Sequence, residues 1–328
     1  MAYVWRKLGF YTVALWVAVT LNFLIPRLIR GNPVDIMLAK FANTQPVPPD
    51  ARHALEVAFG VTNDPVYLQY FHYLGQLAHG ELGLSVTYYP VSVSEVIAQA
   101  LPWTVALATL SLLITVVLGL GLGTLAGWRR GSALDAVIPA TTFLAAMPYF
   151  WLALVFVYVF GIVLRWFPTA GGYDYAHVAY GDGTAFLGSV LYYGAMPALT
   201  VVVSGVAGWL LGMRNMMVST MAEDYVVMAE AKGLSPRRIM LNYAARNAVL
   251  PSVAGFAVSL GFVVSGLVAT EIVFSYPGIG YALVQAVGNA DYPLMQGIFL
   301  VVSIAVLAAN LLVDLLYVLV DPRTRRSA

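Results

Sequence analysis

The sequence contains no cysteine, so disulfides, thiolate metal ligands and a cysteine nucleophile are excluded. It is also short of charge. Only 10% of its 328 residues are charged, the formal net charge is +1, and no basic run marks a nucleic-acid surface. The four histidines, His53, His72, His79 and His177, all lie outside the apolar runs. His72 and His79 are seven apart and can share a helix face, but no acidic pair stands at ligand spacing, and no metal site is read. There is no G-x-x-x-x-G-K-[ST], so the chain does not hold ATP through a phosphate-binding loop of its own. H-E-x-x-H is absent, and so is G-x-S-x-G, because Ser204 precedes Gly205 without the leading glycine. No nucleophile and base pair up within the apolar runs, so no catalytic residue is assigned and the chain is not read as an enzyme.

What the sequence has is apolar length. Sixty per cent of the residues are hydrophobic and the mean hydropathy is +0.80, which excludes an ordinary soluble domain. Six charge-free runs, 8–26, 96–128, 136–164, 183–213, 247–270 and 292–313, each approach or exceed the roughly 20 residues a helix needs to cross the hydrocarbon core. The first follows Arg6 and Lys7 but has no small-x-small cleavage site after it, and reads as an uncleaved span. Six spans put both termini on one side. Twelve of the Lys and Arg residues fall on that side and five on the other, which predicts cytoplasmic termini.

The expected organisation is therefore an N-terminus and first span over 1–26, an extracytoplasmic loop over 27–101, and a five-helix core over 102–328. In the loop, Asp64-Pro65 resembles a helix start, and Tyr67, Tyr70, Phe71 and Leu74 share a face expected to pack on the spans, with an external docking surface as the alternative. Gly80 and Gly83 end that helix, and 91–100 predicts another short helix before Leu101-Pro102. Gly119, Gly121, Gly123 and Gly127 predict close helix packing, and Pro148 predicts a bend in the third run. The outer loop 165–187 reads as irregular surface. Glu271, before the turn Pro277-Gly278, is either an interfacial anchor or a group lining a solute path. Asn310 and Asp314 share one face of the last span and suit pairing with a neighbouring helix.

The remaining charge is concentrated between residues 214 and 251. Arg214, Glu223, Asp224, Glu230, Lys232, Arg237, Arg238 and Arg246 make eight charged residues there. The stretch predicts two short helices. One ends at Lys232 with Gly233 in the left-handed position, and the next starts with Ser235 as cap and Pro236 in the first turn. Ile239, Met240 and Tyr243 share a face of the second helix. Two capped helices suit docking to a partner; a solvated loop between spans is the alternative.

Ala229-Glu230-Ala231-Lys232-Gly233-Leu234-Ser235, then Arg237-Arg238 and Arg246-Asn247-Ala248 up to Leu250-Pro251, resembles the cytoplasmic coupling loop of ABC importer permeases. The likeness is to the dipeptide/oligopeptide/nickel branch, first permease of the pair. Gly31-Asn32-Pro33-Val34, Gly80-Glu81-Leu82-Gly83-x-Ser85, Leu101-Pro102-x-Thr104, Glu271-x-x-Phe274-x-x-Pro277-Gly278-x-Gly280, Asp291-Tyr292-Pro293-x-x-Gln296-Gly297 and Asn310 through Asp321-Pro322-Arg323 extend the resemblance along the whole chain. Val227, Met228 and Ala229 stand where the general loop pattern has Glu-Ala-Ala, so no acidic contact is carried over to Val227. The resemblance implies an all-α membrane protein with six transmembrane helices and the type I importer permease fold, in a bacterial or archaeal cytoplasmic membrane. It implies a second homologous permease, two ATP-binding subunits that hold the ATP and Mg, and an extracytoplasmic substrate-binding protein, with membrane lipids around the spans. Ala229, Glu230, Ala231, Lys232, Gly233, Ser235, Arg237 and Arg238 would couple to the ATPases. Glu271, Pro277 and Gly278 would be candidates for the path. Peptides are the expected solute; nickel chelates, glutathione and oligosaccharides are the branch's other cargoes, and an ion-coupled carrier is the rival mechanism.

Overall fold

The computed structural model describes residues 2–28, 33–42, 52–53, 64–131, 133–252 and 267–320. These residues are almost entirely helical or in turns, apart from an isolated bridge between Leu84 and Ser92. Four stretches are long and apolar enough to cross a membrane: Arg6–Leu24, Val93–Trp128, Gly183–Thr220 and Tyr292–Leu311. A fifth span results if the bent pair Ile138–Ala145 and Tyr149–Val163 counts as one. Most of the predicted run 247–270 lies outside the described residues, as do Gly31, Asn32 and the tail Asp321-Pro322-Arg323. The last helix, Tyr292–Val320, carries both Asn310 and Asp314, but side chains beyond Leu311 are outside the description.

Three expectations need correction. The predicted break before Leu101-Pro102 is absent: Val93–Trp128 is one helix of 36 residues with Pro102 inside it. Proline frees one backbone carbonyl, and membrane helices tolerate this when neighbouring groups satisfy what is released. At Pro148 the expected bend is a full interruption. Pro148 is extended, with ψ 139, and the helices on either side differ in direction by 106°. Finally, the aromatic helix Val66–Ala78 is rotated from the expected face, with Pro65 rather than Asp64 at its cap position. Tyr67 and Phe71 are exposed, while Tyr70, Tyr73, Leu74 and Leu77 are half-buried.

The chain divides into two compact units, Met1–Thr104 with Pro277–Ala328, and Val105–Tyr276. In the first, the initial and final spans are cross-linked by a reciprocal amide pair. Asn22 Nδ2 donates to the Gln296 carbonyl at 2.6 Å, and Gln296 Nε2 donates to the Asn22 carbonyl at 3.2 Å. Two motif segments some 200 residues apart meet in the same unit. The Asp291 carboxylate is fully buried and accepts from Ser85 Oγ (2.5 Å), Thr87 N–H (2.8 Å) and Leu294 N–H (3.1 Å). It thus caps the last helix and clamps the loop 81–92 to it. Burial, ahead of Tyr281 and Asp291 nearby, pushes the Tyr88 phenol up. Helix Ile279–Gly288, unread in the sequence, packs on this region through Ile279, Ala282 and Ala286, and Thr104 Oγ1 accepts from the Ile279 N–H at 2.8 Å.

In the second unit, Val93–Trp128 and Gly183–Thr220 touch backbone to backbone. A Cβ added to Gly119 would lie 2.4 Å from Trp209 Cβ, one on Gly123 2.5 Å from the Leu210 carbonyl, and one on Gly127 2.5 Å from Met217 Cβ. These three glycines form an i, i+4, i+8 stripe. Gly121 is off the stripe and meets nothing within 4 Å. Residues 164–182 of the outer loop have no regular structure, whereas 183–187 already begin the helix Gly183–Thr220; Tyr173, Tyr175 and Tyr180 of the loop cluster with Phe186 of that helix. Beside them the His177 ring, more than any other contact, holds the Asp174 carboxyl below its ordinary value.

Candidate coupling element

The element begins where Gly183–Thr220 ends. At 38 residues that helix is about 57 Å long, too long to lie wholly within the hydrocarbon core, and its last turns are the ones that carry a charge, at Arg214. Met213 and Met217 on those turns are buried against Ala244 and Ala248, with Trp128, Met221 and Met240 around them. A short turn, Met221 to Glu223, leads into helix Asp224–Ala231. Asp224 stands in the first turn, where a carboxylate meets the partial positive charge of free N–H groups.

The break after Ala231 follows the sequence expectation in its essentials. Gly233 has φ +72. Its N–H donates to the Glu230 carbonyl at 2.8 Å, and the Leu234 N–H donates to the Ala229 carbonyl at 3.3 Å. This pair of bonds terminates a helix with a left-handed residue, which glycine adopts without a Cβ penalty. The apolar contact that accompanies such a stop is present, since Leu234 packs on Val226, Ala229 and Ile239. Pro236 occupies the first turn of the following helix, where its missing N–H costs no bond. Ser235 sits at the cap position but makes no side-chain cap bond, contrary to its predicted role; its carbonyl instead accepts from the Arg238 and Ile239 N–H groups. The second helix is not a regular α-helix: Pro236–Arg238 passes into a π-helical segment, Ile239–Ala245.

The two helices close on one another through Val226, Ala229 and Ile239, with Trp128, Met221 and Tyr243 beside them. The candidates therefore separate by role. Ala229 is buried in the seam and holds the pair together. Glu230, Ala231, Lys232, Gly233, Ser235, Arg237 and Arg238 are all exposed and form one continuous surface around the break. Among the described residues Lys232, Arg237 and Arg238 make no ion pair. Sequence reasoning missed the apolar part of this surface: Tyr225, Val227, Met228 and Leu241 are 40%, 54%, 59% and 45% exposed. Its signal was the pair Tyr225 and Met228, three apart and offset from the inward Val226 and Ala229. The surface thus joins exposed apolar side chains to three cations and the Glu230 carboxylate, over a seam that is already full. That combination suits a groove with apolar walls and acidic margins.

The path candidates fall in both units. Glu271, in helical residues 267–273, is fully buried, and its carbonyl accepts from the Tyr276 N–H at 2.8 Å. Pro277 and Gly278 form the turn into Ile279–Gly288, with Gly278 at the cap position. Among the described residues no group of three or more His, Asp or Glu side chains could hold a metal ion.

Residues 119–326 match the family of binding-protein-dependent transport system inner membrane components. The chain is 32% identical over 339 residues to the di/tripeptide transport system permease protein DppB of Pseudomonas aeruginosa (strain UCBPP-PA14), covering 99% of both chains. It is 32% identical over 326 residues, again 99% of both, to the oligopeptide transport system permease protein OppB of Haemophilus influenzae. To the dipeptide transport system permease protein DppB of Escherichia coli (strain K12) it is 30% identical over 343 residues and 99% of each.

Proposed function

This chain belongs to the family of binding-protein-dependent transport system inner membrane components, and from that premise we propose that it is a permease subunit of an ATP-driven importer of dipeptides or oligopeptides. Peptides are the favoured solute because the relatives matched over nearly their whole length carry dipeptide and oligopeptide names. The single observation that carries the coupling role is the open surface around Gly233 over a closed seam of Val226, Ala229 and Ile239. A solvated loop needs neither.

In this reading two ATP-binding subunits hold ATP and Mg and grip the pair of helices. Glu230, Ala231, Lys232, Gly233, Ser235, Arg237 and Arg238 face the ATPase, and Tyr225, Val227 and Met228 supply apolar contact. Movement of the pair is passed on because its base is one packed body. Met213 and Met217 tie it to Gly183–Thr220, and the glycine stripe ties that helix to Val93–Trp128. Close packing transmits displacement rather than absorbing it. A second, homologous permease forms the other half of the path, and an extracytoplasmic binding protein delivers the solute. The excess of Lys and Arg puts the termini and the coupling element in the cytoplasm of a multi-pass inner-membrane protein. Pro277, Gly278 and Glu271 remain the candidates for the path, with Glu271 acting there only in a conformation that uncovers it.

The test is reconstitution of the four membrane-associated chains in vesicles with the binding protein outside. Labelled dipeptide should accumulate only with ATP inside, and should be indifferent to an ionophore. Uptake by this chain alone, abolished by the ionophore and unaffected by ATP removal, would instead establish the ion-coupled carrier.

A further inference from the structure

Helix Val66–Ala78 has 13 residues and no Asp, Glu, Lys or Arg. Its side chains fall into three sectors. Tyr70, Tyr73, Leu74 and Leu77 turn inward, and Phe23 of the first span stacks edge-on to Tyr70 with ring centroids 5.1 Å apart and lies 5.5 Å from Tyr73. Gln69, His72, Gln76 and His79, at i, i+3, i+7 and i+10, form a polar stripe. Tyr67 and Phe71 occupy the remaining flank and are 63% and 64% exposed.

The depth of this helix is set by a hydroxyl pair, Thr20 Oγ1 to Tyr70 Oη at 2.7 Å. Thr20 lies four residues before Leu24, the end of the apolar stretch Arg6–Leu24, so the anchor point is about 6 Å inside the end of the span. The exposed apolar surface is continuous from one helix to the other. Leu24 and Tyr67 line the same open groove of about 490 Å³ with Thr20, Phe23, Val66 and Tyr70. On the span itself Val17, Leu21 and Leu24 are exposed, and a membrane-crossing helix exposes such residues to lipid.

We propose that Val66–Ala78 is an interfacial helix that lies in the headgroup boundary at the end of the first span remote from the N-terminus, with Tyr67 and Phe71 in the acyl region and the Gln69–His72–Gln76 stripe toward water. Its occupant is phospholipid. An uncharged helix with tyrosines at the boundary and one polar stripe has the character of a membrane-interface element, and the Thr20–Tyr70 contact seats it at that depth. The groove at Leu24 then takes acyl chain, and the helix braces the first span against tilting. The inference requires only that Arg6–Leu24 crosses the bilayer, and holds whatever the solute or energy source.

Because the chain has no cysteine, single labels are clean. Tyr67→Cys, Phe71→Cys, His72→Cys and Gln76→Cys, each in the full chain, are spin-labelled and reconstituted in phosphatidylethanolamine–phosphatidylglycerol vesicles. Collision with dissolved oxygen and with a water-soluble nickel chelate is then measured. The oxygen-to-nickel ratio should be several-fold higher at 67 and 71 than at 72 and 76. Equal ratios at all four positions would overturn the proposal. So would labels at 67 and 71 that are shielded from both reagents, or that change only when the binding protein is added, since either marks a protein-covered face.

Discussion

Helix Asp224–Ala231 and helix Ile279–Gly288 end with the same hydrogen-bond pattern but different residues at the left-handed position. The first has Gly233 at φ +72, the second Ala290 at φ +48. In each, the left-handed residue's N–H reaches back three residues and the next N–H reaches back five. The surroundings differ. After Ala290 comes Asp291, whose buried carboxylate takes donors from Ser85, Thr87 and Leu294, so the chain's own contacts over-determine the turn. After Gly233 the backbone is open, and a Cβ there would meet nothing within 4 Å. Strain of about 1–2 kcal/mol at a non-glycine left-handed residue is held where the neighbourhood enforces it. At Gly233, where Leu234 packs on the seam but no buried polar clamp holds the turn, glycine makes it intrinsically cheap. The clamped end is finished within the chain, and the open end is the one that the proposed function assigns to a partner.

The largest effect should come from undoing the clamp. Asp291→Ala leaves three donors facing a void and should lower stability by about 3 kcal/mol. Thermal unfolding in detergent, together with protease cutting in the loop 81–92, reads this; an unshifted midpoint would show that the turn at Ala290 does not lean on Asp291. Next comes the base of the open element. Gly123→Ala puts a Cβ against the Leu210 carbonyl and should cost about 1–3 kcal/mol, whereas Gly121→Ala should be neutral or stabilising by up to about 1 kcal/mol. Melting the pair side by side separates packing from propensity. Smaller still are the two turns. Gly233→Val should cost about 1–2 kcal/mol locally, leaving the protein inserted but stopping transport, while Ala290→Gly should gain less than about 1 kcal/mol. Normal peptide uptake by the Gly233 variant would erase the contrast between the two ends. The smallest stability change belongs to Met228→Ser, within about 0.5 kcal/mol. Its effect should appear in assembly, as weaker retention of the ATPase chains in pull-down.

Much of the coupling element was legible because its rules are local. Gly after Lys232 and Pro after Ser235 favour a stop and a start through local backbone rules, and glycine is the residue that takes φ +72 at position 233 without a Cβ penalty. The side-chain cap expected of Ser235 was not legible in the same way, since a cap bond depends on a rotamer choice that sequence does not constrain. The glycine stripe was half legible. Four glycines suggested close approach, but only Gly119, Gly123 and Gly127 share the contact face. The sequence expects a helix end before Pro102 and only a bend at Pro148, yet Pro102 lies within a continuous helix and Pro148 interrupts one.

Composition and run length alone determined that this chain crosses a membrane, and the sequence has no phosphate-binding loop of the G-x-x-x-x-G-K-[ST] type. Spacing alone determined where the charged element between the fourth and fifth runs would break. Tertiary structure decided which apolar face meets protein, as the rotation of Val66–Ala78 shows. It also decided that the Ser85 hydroxyl and the Thr87 N–H would meet the Asp291 carboxylate, which caps the last helix through the Leu294 N–H. The reason is physical. Periodicity reports which residues share a face, but in a bilayer both lipid and neighbouring helix are apolar, so hydrophobicity does not distinguish them. Only close packing and the pairing of buried polar groups do, and both depend on residues far apart in the chain.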